Sequence, residues 1–353
     1  MIGKSRVLVI WAIAWLHLMA CRGDGAERPP DVRNVESKLE LIRFDQACDP
    51  GSSEGPGVRL LRLCRDHKEF CDLYFNTILG LPLPEDSTGA EASVALDRFF
   101  NQEERKKAIG KVLAQLPGDR ILNEGFGKSL QYFKHYFPQE REPAFYLAFC
   151  DFSYANFIFS REAGGDGLGI GVEFFAGDAI SYRSIDPENP AFSDYLIRSF
   201  NKDHILPKTW DAWLEDRTPV PATSRLIDFM LQRGKKLYIL TKLLPEVADT
   251  ALFDLPEAQL AWCRSNKVDI WSFFLNGKLL YSSELLKFNK YINPSPTSPG
   301  MPAEAPGRTG SYIGYEIVRS YMERNPDKKL SDLLEETESQ TFLQEARFKP
   351  RNE

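Results

Sequence analysis

The chain changes its hydrophobic period several times, and each change marks an element. After Lys4 and Arg6, positions 7–19 form an almost unbroken apolar run that ends at Ala20-Cys21. About 13 apolar residues are too few to cross a hydrocarbon core of roughly 30 Å, so the run reads as the core of a signal peptide rather than a membrane span. Residues 22–34 carry Gly, Pro, Asp and Arg and read as a flexible tether. Apolar-polar alternation over 39–44 predicts a first strand. From there to His135 the spacing is helical. Leu60, Leu63, Phe70, Leu73 and Ile78 predict one helix over 60–78, and residues 82–88 a loop. Segments 144–150, 154–160 and 170–175 read as strands. After Asp203 the period returns to that of a helix, with helices predicted over 225–238, 256–265, 282–291, 314–323 and 330–346. Residues 293–308 form an ordered or lid-like loop, and no internal repeat is visible.

Two glycine features interrupt these patterns. Gly164-Gly165-Asp166-Gly167-Leu168-Gly169-Ile170-Gly171 invites comparison with a phosphate loop. No GxGxxG register fits it, and no Gly-Lys-Ser/Thr follows. A tight hairpin or a close backbone approach is the better reading. Gly234 lies inside the stripe formed by Ile227, Met230, Leu231 and Tyr238. A glycine there costs about 1 kcal/mol against alanine, so it marks a place where another element comes close.

Leu18-Met19-Ala20-Cys21 fits the bacterial lipobox, in which the cysteine thiol is diacylated and becomes the new N-terminus. Cys21 is therefore the expected lipid attachment site, palmitate being a typical chain. Two or three acyl chains, at about 0.8 kcal/mol per buried CH₂, would hold the domain to a membrane face permanently. Removal of residues 1–20 takes Lys4 and Arg6 with it, so the formal charge of −6 becomes −8. That acidity argues against nucleic acid as a partner.

Five cysteines remain besides Cys21, an odd number that no complete disulfide framework accommodates. Were 60–78 one continuous helix, Cys64 and Cys71 would lie about 10 Å apart, beyond the roughly 7 Å that a disulfide allows. Packed thiols are therefore expected, the pair closing only if the helix breaks. The histidines after Cys21, namely His67, His135 and His204, share no i, i+4 spacing, and no HExxH occurs. No metal, cofactor or catalytic residue is expected. Asp166, Glu173 and Asp178 read as turn and strand residues rather than cation ligands.

The C-terminal half carries a resemblance. Its residues are the glycine run through Glu173-Phe174-Phe175, Gly234-Lys235-Lys236-Leu237-Tyr238, Leu244-Pro245 with Asp249, and Gln259 to Asn266 with Trp271. Leu279 to Ser282 follow, then Pro306 to Met322 and Phe348-Lys349-Pro350. With the lipobox, this set resembles the gliding motility lipoprotein GldB family of the Bacteroidetes. Lys267 stands where that pattern has Glu, and Tyr312 and Tyr315 stand where it favours Trp. The family is in turn distantly similar to degenerate zincin-like metallopeptidases. That analogy would put a metal helix on 226–232, with Asp228, Phe229 and Gln232 at the positions of His, Glu and His.

The resemblance implies an α+β fold, mainly helical with a small central sheet, on a zincin-like scaffold lacking HExxH. The expected organisation is a signal peptide at 1–20, lipidated cysteine and tether at 21–36, and a globular domain at 37–353. It also implies a non-enzymatic, lipid-anchored component of gliding motility and the associated type IX protein secretion machinery. Its partners would be the membrane, inner or outer, through the N-terminal lipid, and other envelope proteins of that machinery. The alternatives are a membrane-anchored peptidase or hydrolase with an unrecognised site, and a ligand-binding envelope lipoprotein. If there is a working surface, Glu173, Lys236, Tyr238, Arg308 and Glu316 are the residues expected to form it.

Overall fold

A computed structural model describes residues 28–81, 89–221 and 223–352. The expected signal peptide, Cys21, residues 22–27 of the tether and the loop at 82–88 lie outside the described residues. One unit spans Val32–Glu353, and Val32 is already fully buried in its core.

The fold is mainly helical α+β, built around one mixed sheet of order β1-β2-β4-β3. The strands are β1 (Leu41–Arg43), β2 (Ala144–Ala148), β3 (Asn156–Ser160) and β4 (Asp166–Gly171). β1 and β4 run parallel to β2, and β3 runs antiparallel to β4 at the edge. β2 is buried on both faces, as expected of a strand covered by helices on each side. Side chains alternate across it. Phe145 meets Phe126 of helix Asp119–Tyr136 and Trp210 of helix Ile205–Arg217. Tyr146 meets Phe44, Phe70 and Phe159 on the other face.

The glycine run is the strand β4 itself, not the turn before one. Gly164 and Gly165 make the turn with positive φ, and 166–171 then extends. Register explains the small residues: Gly167 pairs with Phe159 and Gly169 with Phe157. A Cβ on either glycine would fall inside the ring of its partner. The two phenylalanines cover the bare backbone and reach Phe70. The strand expected over 170–175 stops at Gly171, and Val172–Phe175 closes into a 3-10 turn with all four residues buried.

The C-terminal half is organised by helices Leu226–Leu243 and Thr309–Arg324, which cross where Gly234 faces Gly314. The close approach expected at Gly234 is therefore present, with a second glycine supplying the other half. The last helical segment is two helices, Leu330–Glu335 and Ser339–Ala346, and Phe342 stacks on Tyr321 at 3.9 Å. The 293–308 loop is tied down by its own bonds. Ser298 Oγ donates to Pro306 O, and Tyr291 Oη donates to Pro299 O.

One expectation is corrected. Cys64 and Cys71 form a disulfide, with Cα atoms 5.7 Å apart. Helix Pro56–Cys64 ends there, the chain turns through 65–67, and helix Lys68–Asp72 starts in a new direction. Leu73–Ile78 then widens into a π turn. The 10 Å separation assumed a continuous helix, and the break removes it. Cys48, Cys150 and Cys263 are buried free thiols.

Candidate functional site

A cavity of about 590 Å³ lies along the free edge of the sheet. Residues 155–158 at β3 form one wall and helix Ile205–Arg217 forms the next. That helix is amphipathic in a way that serves both sides. Trp210, Trp213 and Leu214 go to the core, while Lys208, Asp211, Ala212 and Glu215, three or four residues apart, line the cleft. Pro207 is tolerated because it sits in the first turn, where no intrahelical N–H partner is lost. Asn156 Nδ2 donates to Thr209 Oγ1 at 3.3 Å, joining strand and helix.

Helix Leu226–Leu243 supplies counter-charges. Arg233 Nη1 reaches both carboxylate oxygens of Asp211, at 2.5 and 2.8 Å, and Lys236 pairs with Glu215. Burial works to raise the Asp211 pKa, yet Arg233 and Lys236 bring it below the usual carboxylate value. Asp211, Glu215, Arg233 and Arg308 also line an adjoining cavity of about 450 Å³, together with Lys236 and Phe288.

The far wall carries a strained pair. Arg308 has φ 65° and Asp254 φ 50°, both in the left-handed region that costs a side chain roughly 1–3 kcal/mol. Arg308 Nη2 lies 3.1 Å from Asp254 Oδ2, and Nη1 donates to Phe253 O. Arg308 Nε, Arg198 Nε and Asp254 Oδ1 are buried and find no hydrogen-bond partner in the protein. Asp254 Oδ1 stands 3.9 Å from Arg198 Nε and 3.8 Å from His204 Nε2. Burial pushes His204 down to about 4, opposed by Asp254. Burial likewise pushes Arg308 down to about 10 and Lys208 down to about 8, in each case only partly offset by Asp254. Lys208 Nζ donates to Ser199 Oγ at 2.8 Å and lies over the Phe200 ring.

Of the five residues singled out from sequence, Lys236 and Arg308 meet at this site. Glu173 is fully buried behind the sheet. Its carboxylate accepts the N–H groups of Cys150 and Phe152 at 2.8–3.1 Å, bracing a turn in which Asp151 and Phe152 both have positive φ. Tyr238 packs near Tyr315, with Lys242 over its ring. Glu316 is buried beside Lys267 and Arg319. Neither of these last two lines the two cavities. Asp228 of the supposed metal helix is a helix cap, accepting from Thr223 Oγ1 and the Arg225 N–H, and Gln232 donates to Pro219 O. The pair of acids one turn apart that does face the cleft is Asp211 and Glu215, with Ala212 between them. Among the described residues no group of three or more His, Cys, Asp or Glu is placed to hold a metal.

Sequence reasoning missed Lys208, Asp211, Arg233, Asp254 and the placement of His204. The signal available was the charged i, i+3, i+4, i+7 face of 205–217 opposite its two tryptophans. A second was the Arg233/Lys236 step that interrupts an otherwise apolar helix.

The geometry defines a mainly helical α+β protein whose sheet edge borders a partly open cleft lined by charged residues. Among the described residues no helix is long and apolar enough to cross a membrane. Comparison with family profiles matches residues 25–350 to the gliding motility protein GldB, and the chain belongs to that family. It is accordingly a gliding motility lipoprotein of the cell envelope. No curated protein and no solved structure matches it.

Proposed function

We propose that this protein is a non-enzymatic holding component of the gliding and type IX secretion machinery, anchored by lipid on Cys21 after its signal peptide is removed. The observation that carries this reading is how the two carboxylates of helix Ile205–Arg217 that face the cleft are paired with cations of helix Leu226–Leu243. Asp211 is gripped by Arg233 on both oxygens, and Glu215 is held by the buried Lys236. A general acid or base needs a carboxyl that can exchange its proton near working pH, and at Asp211 the Arg233 and Lys236 charges oppose that by holding it below the usual carboxylate value. The Cys64–Cys71 disulfide supports export, since such bonds persist in oxidising compartments such as the periplasm. A permanent tether raises the effective concentration of partners at a membrane face with no turnover required.

The test is genetic. Deletion should impair both surface spreading and the level of secreted cargo, and Cys21→Ser should lose acylation. Glu215→Gln, in protein that remains abundant, should leave both phenotypes close to wild type. Complete loss of gliding from Glu215→Gln, with the partner complex still recovered by pull-down, would point to acid–base chemistry and overturn the proposal.

A further inference from the structure

The charges lining the cleft are unevenly paired. Its walls carry Lys208, Arg233 and Arg308 beside Asp211, Glu215, Asp216 and Asp254. Asp216, at the rim, pairs with Arg217. Arg233 and Lys236 have their own carboxylates, while Arg198 and Arg308 share Asp254. Lys208 has only the Ser199 hydroxyl and the Phe200 ring, and no carboxylate of the described residues lies within ion-pair distance of it. Arg308 still has a buried N–H with no acceptor.

Buried cations are costly unless paired, so proteins keep such an arrangement where something else completes it. Two further observations point into the same space. Arg308 and Asp254 are held in strained left-handed backbone, a feature that gathers at ligand sites. The cavity also has the volume of a small-molecule site, with Ile158, Leu196, Leu240 and Leu252 on its walls.

We infer that this cleft binds a small organic anion, its carboxylate or phosphate group held between the Lys208 ammonium and the Arg308 guanidinium and its apolar body lying along Ile158, Leu196 and Leu252. An oxyanion there accepts from Lys208 Nζ and from the orphan Arg308 Nε at once, giving two charge-assisted hydrogen bonds in a desolvated site. Asp254 remains as the brace that orients Arg308. Asp211 and Glu215 are withdrawn from the anion by their own cations, so they do not repel it. The site is a binding site with no covalent step, and it stands whether or not the protein acts as a holding component.

The experiment is calorimetric titration of the full chain in lipid nanodiscs, with empty discs as blank. The probes are benzoate, phenyl phosphate, inorganic phosphate and neutral benzamide. Benzoate or phenyl phosphate should bind one per protein, with inorganic phosphate weaker and benzamide silent. Lys208→Met should weaken binding at least about tenfold, the loss expected for a charge-assisted bond in a buried site, while Lys208→Arg retains it. Lys208→Gln carries the same expectation should the Met variant fail to fold. Lys208→Met should also melt no lower than wild type, because it removes a desolvated charge that Asp254 offsets only in part and that no carboxylate meets within ion-pair distance. The inference is overturned if no anion binds at millimolar concentration, or if benzamide binds as well as benzoate. It is equally overturned if inorganic phosphate binds as tightly as phenyl phosphate, or if Lys208→Met binds like wild type.

Discussion

The crossing of helices 226–243 and 309–324 allows a sharp test, because backbone there rests on backbone. A Cβ on Gly314 would lie 2.6 Å from the Met230 carbonyl carbon and closer still to its oxygen. A Cβ on Gly234 would lie 2.7 Å from the Tyr315 nitrogen. Ordinary contact needs about 3.4 Å or more, and no side-chain rotamer can relieve a clash with main chain, so the helices must part. Overpacking of this kind costs up to about 3 kcal/mol or more, against a gain of about 1 kcal/mol in helix propensity. A net loss of about 2–3 kcal/mol follows for Gly314→Ala. With an unfolding entropy of roughly 0.7 kcal/mol/K for about 320 residues, Tm should fall by about 3–5 °C. Gly110→Ala is the control, since the nearest atom to its Cβ is Pro50 Cγ at 3.7 Å. It should gain up to about 1 kcal/mol from the same propensity term. Because Gly234 and Gly314 share one contact, the double variant should lose less than the sum of the singles. Scanning calorimetry reads all four proteins. Should Gly314→Ala melt within about 1 °C of wild type, or above it as Gly110→Ala does, the close-packing argument fails.

Three further predictions concern the core and its bridge. Burial pushes Glu173 up to about 8 against 4.5 for the exposed group. The folded protein therefore binds a proton that the unfolded chain has released, and stability falls as pH rises between these values, by up to about 1.4 kcal/mol per unit. Glu173→Gln should flatten that slope in urea titrations from pH 5 to 8; a profile parallel to wild type would refute the assignment. Glu173→Ala leaves the Cys150 and Phe152 N–H groups unsatisfied and should cost about 2–4 kcal/mol at about pH 5, read from the same titrations, and less as pH rises because the variant lacks the Glu173 slope. Removing the bridge through Cys64→Ser with Cys71→Ser frees a short loop and should cost about 2–3 kcal/mol by the loop-entropy estimate, whereas an unchanged urea midpoint would show that the bond is not formed in the native protein.

What the amino-acid sequence determined by itself is whatever short-range periodicity can express. The strands at 144–148 and 156–160, the close approach at Gly234 and the ordered 293–308 loop all announce themselves within a few residues, because side-chain period and backbone freedom are local properties. Even the family was legible, since several motifs occur in a fixed order. The site was not. Lys208, Asp211, Arg233, Asp254 and Arg308 come from two helices and two turns spread over a hundred residues, and of these only Arg308 stands out from the sequence while the others read as ordinary surface charges. Only the tertiary structure decided that they share one low-dielectric cleft, where an unpaired ammonium is costly rather than merely solvated. The Cys64–Cys71 bridge was missed for the related reason that periodicity cannot see a helix break at 65–67. Glu173 went to the core rather than to a surface because the strained turn at 151–152 needed an acceptor, a demand that exists only once β2 and β4 are paired.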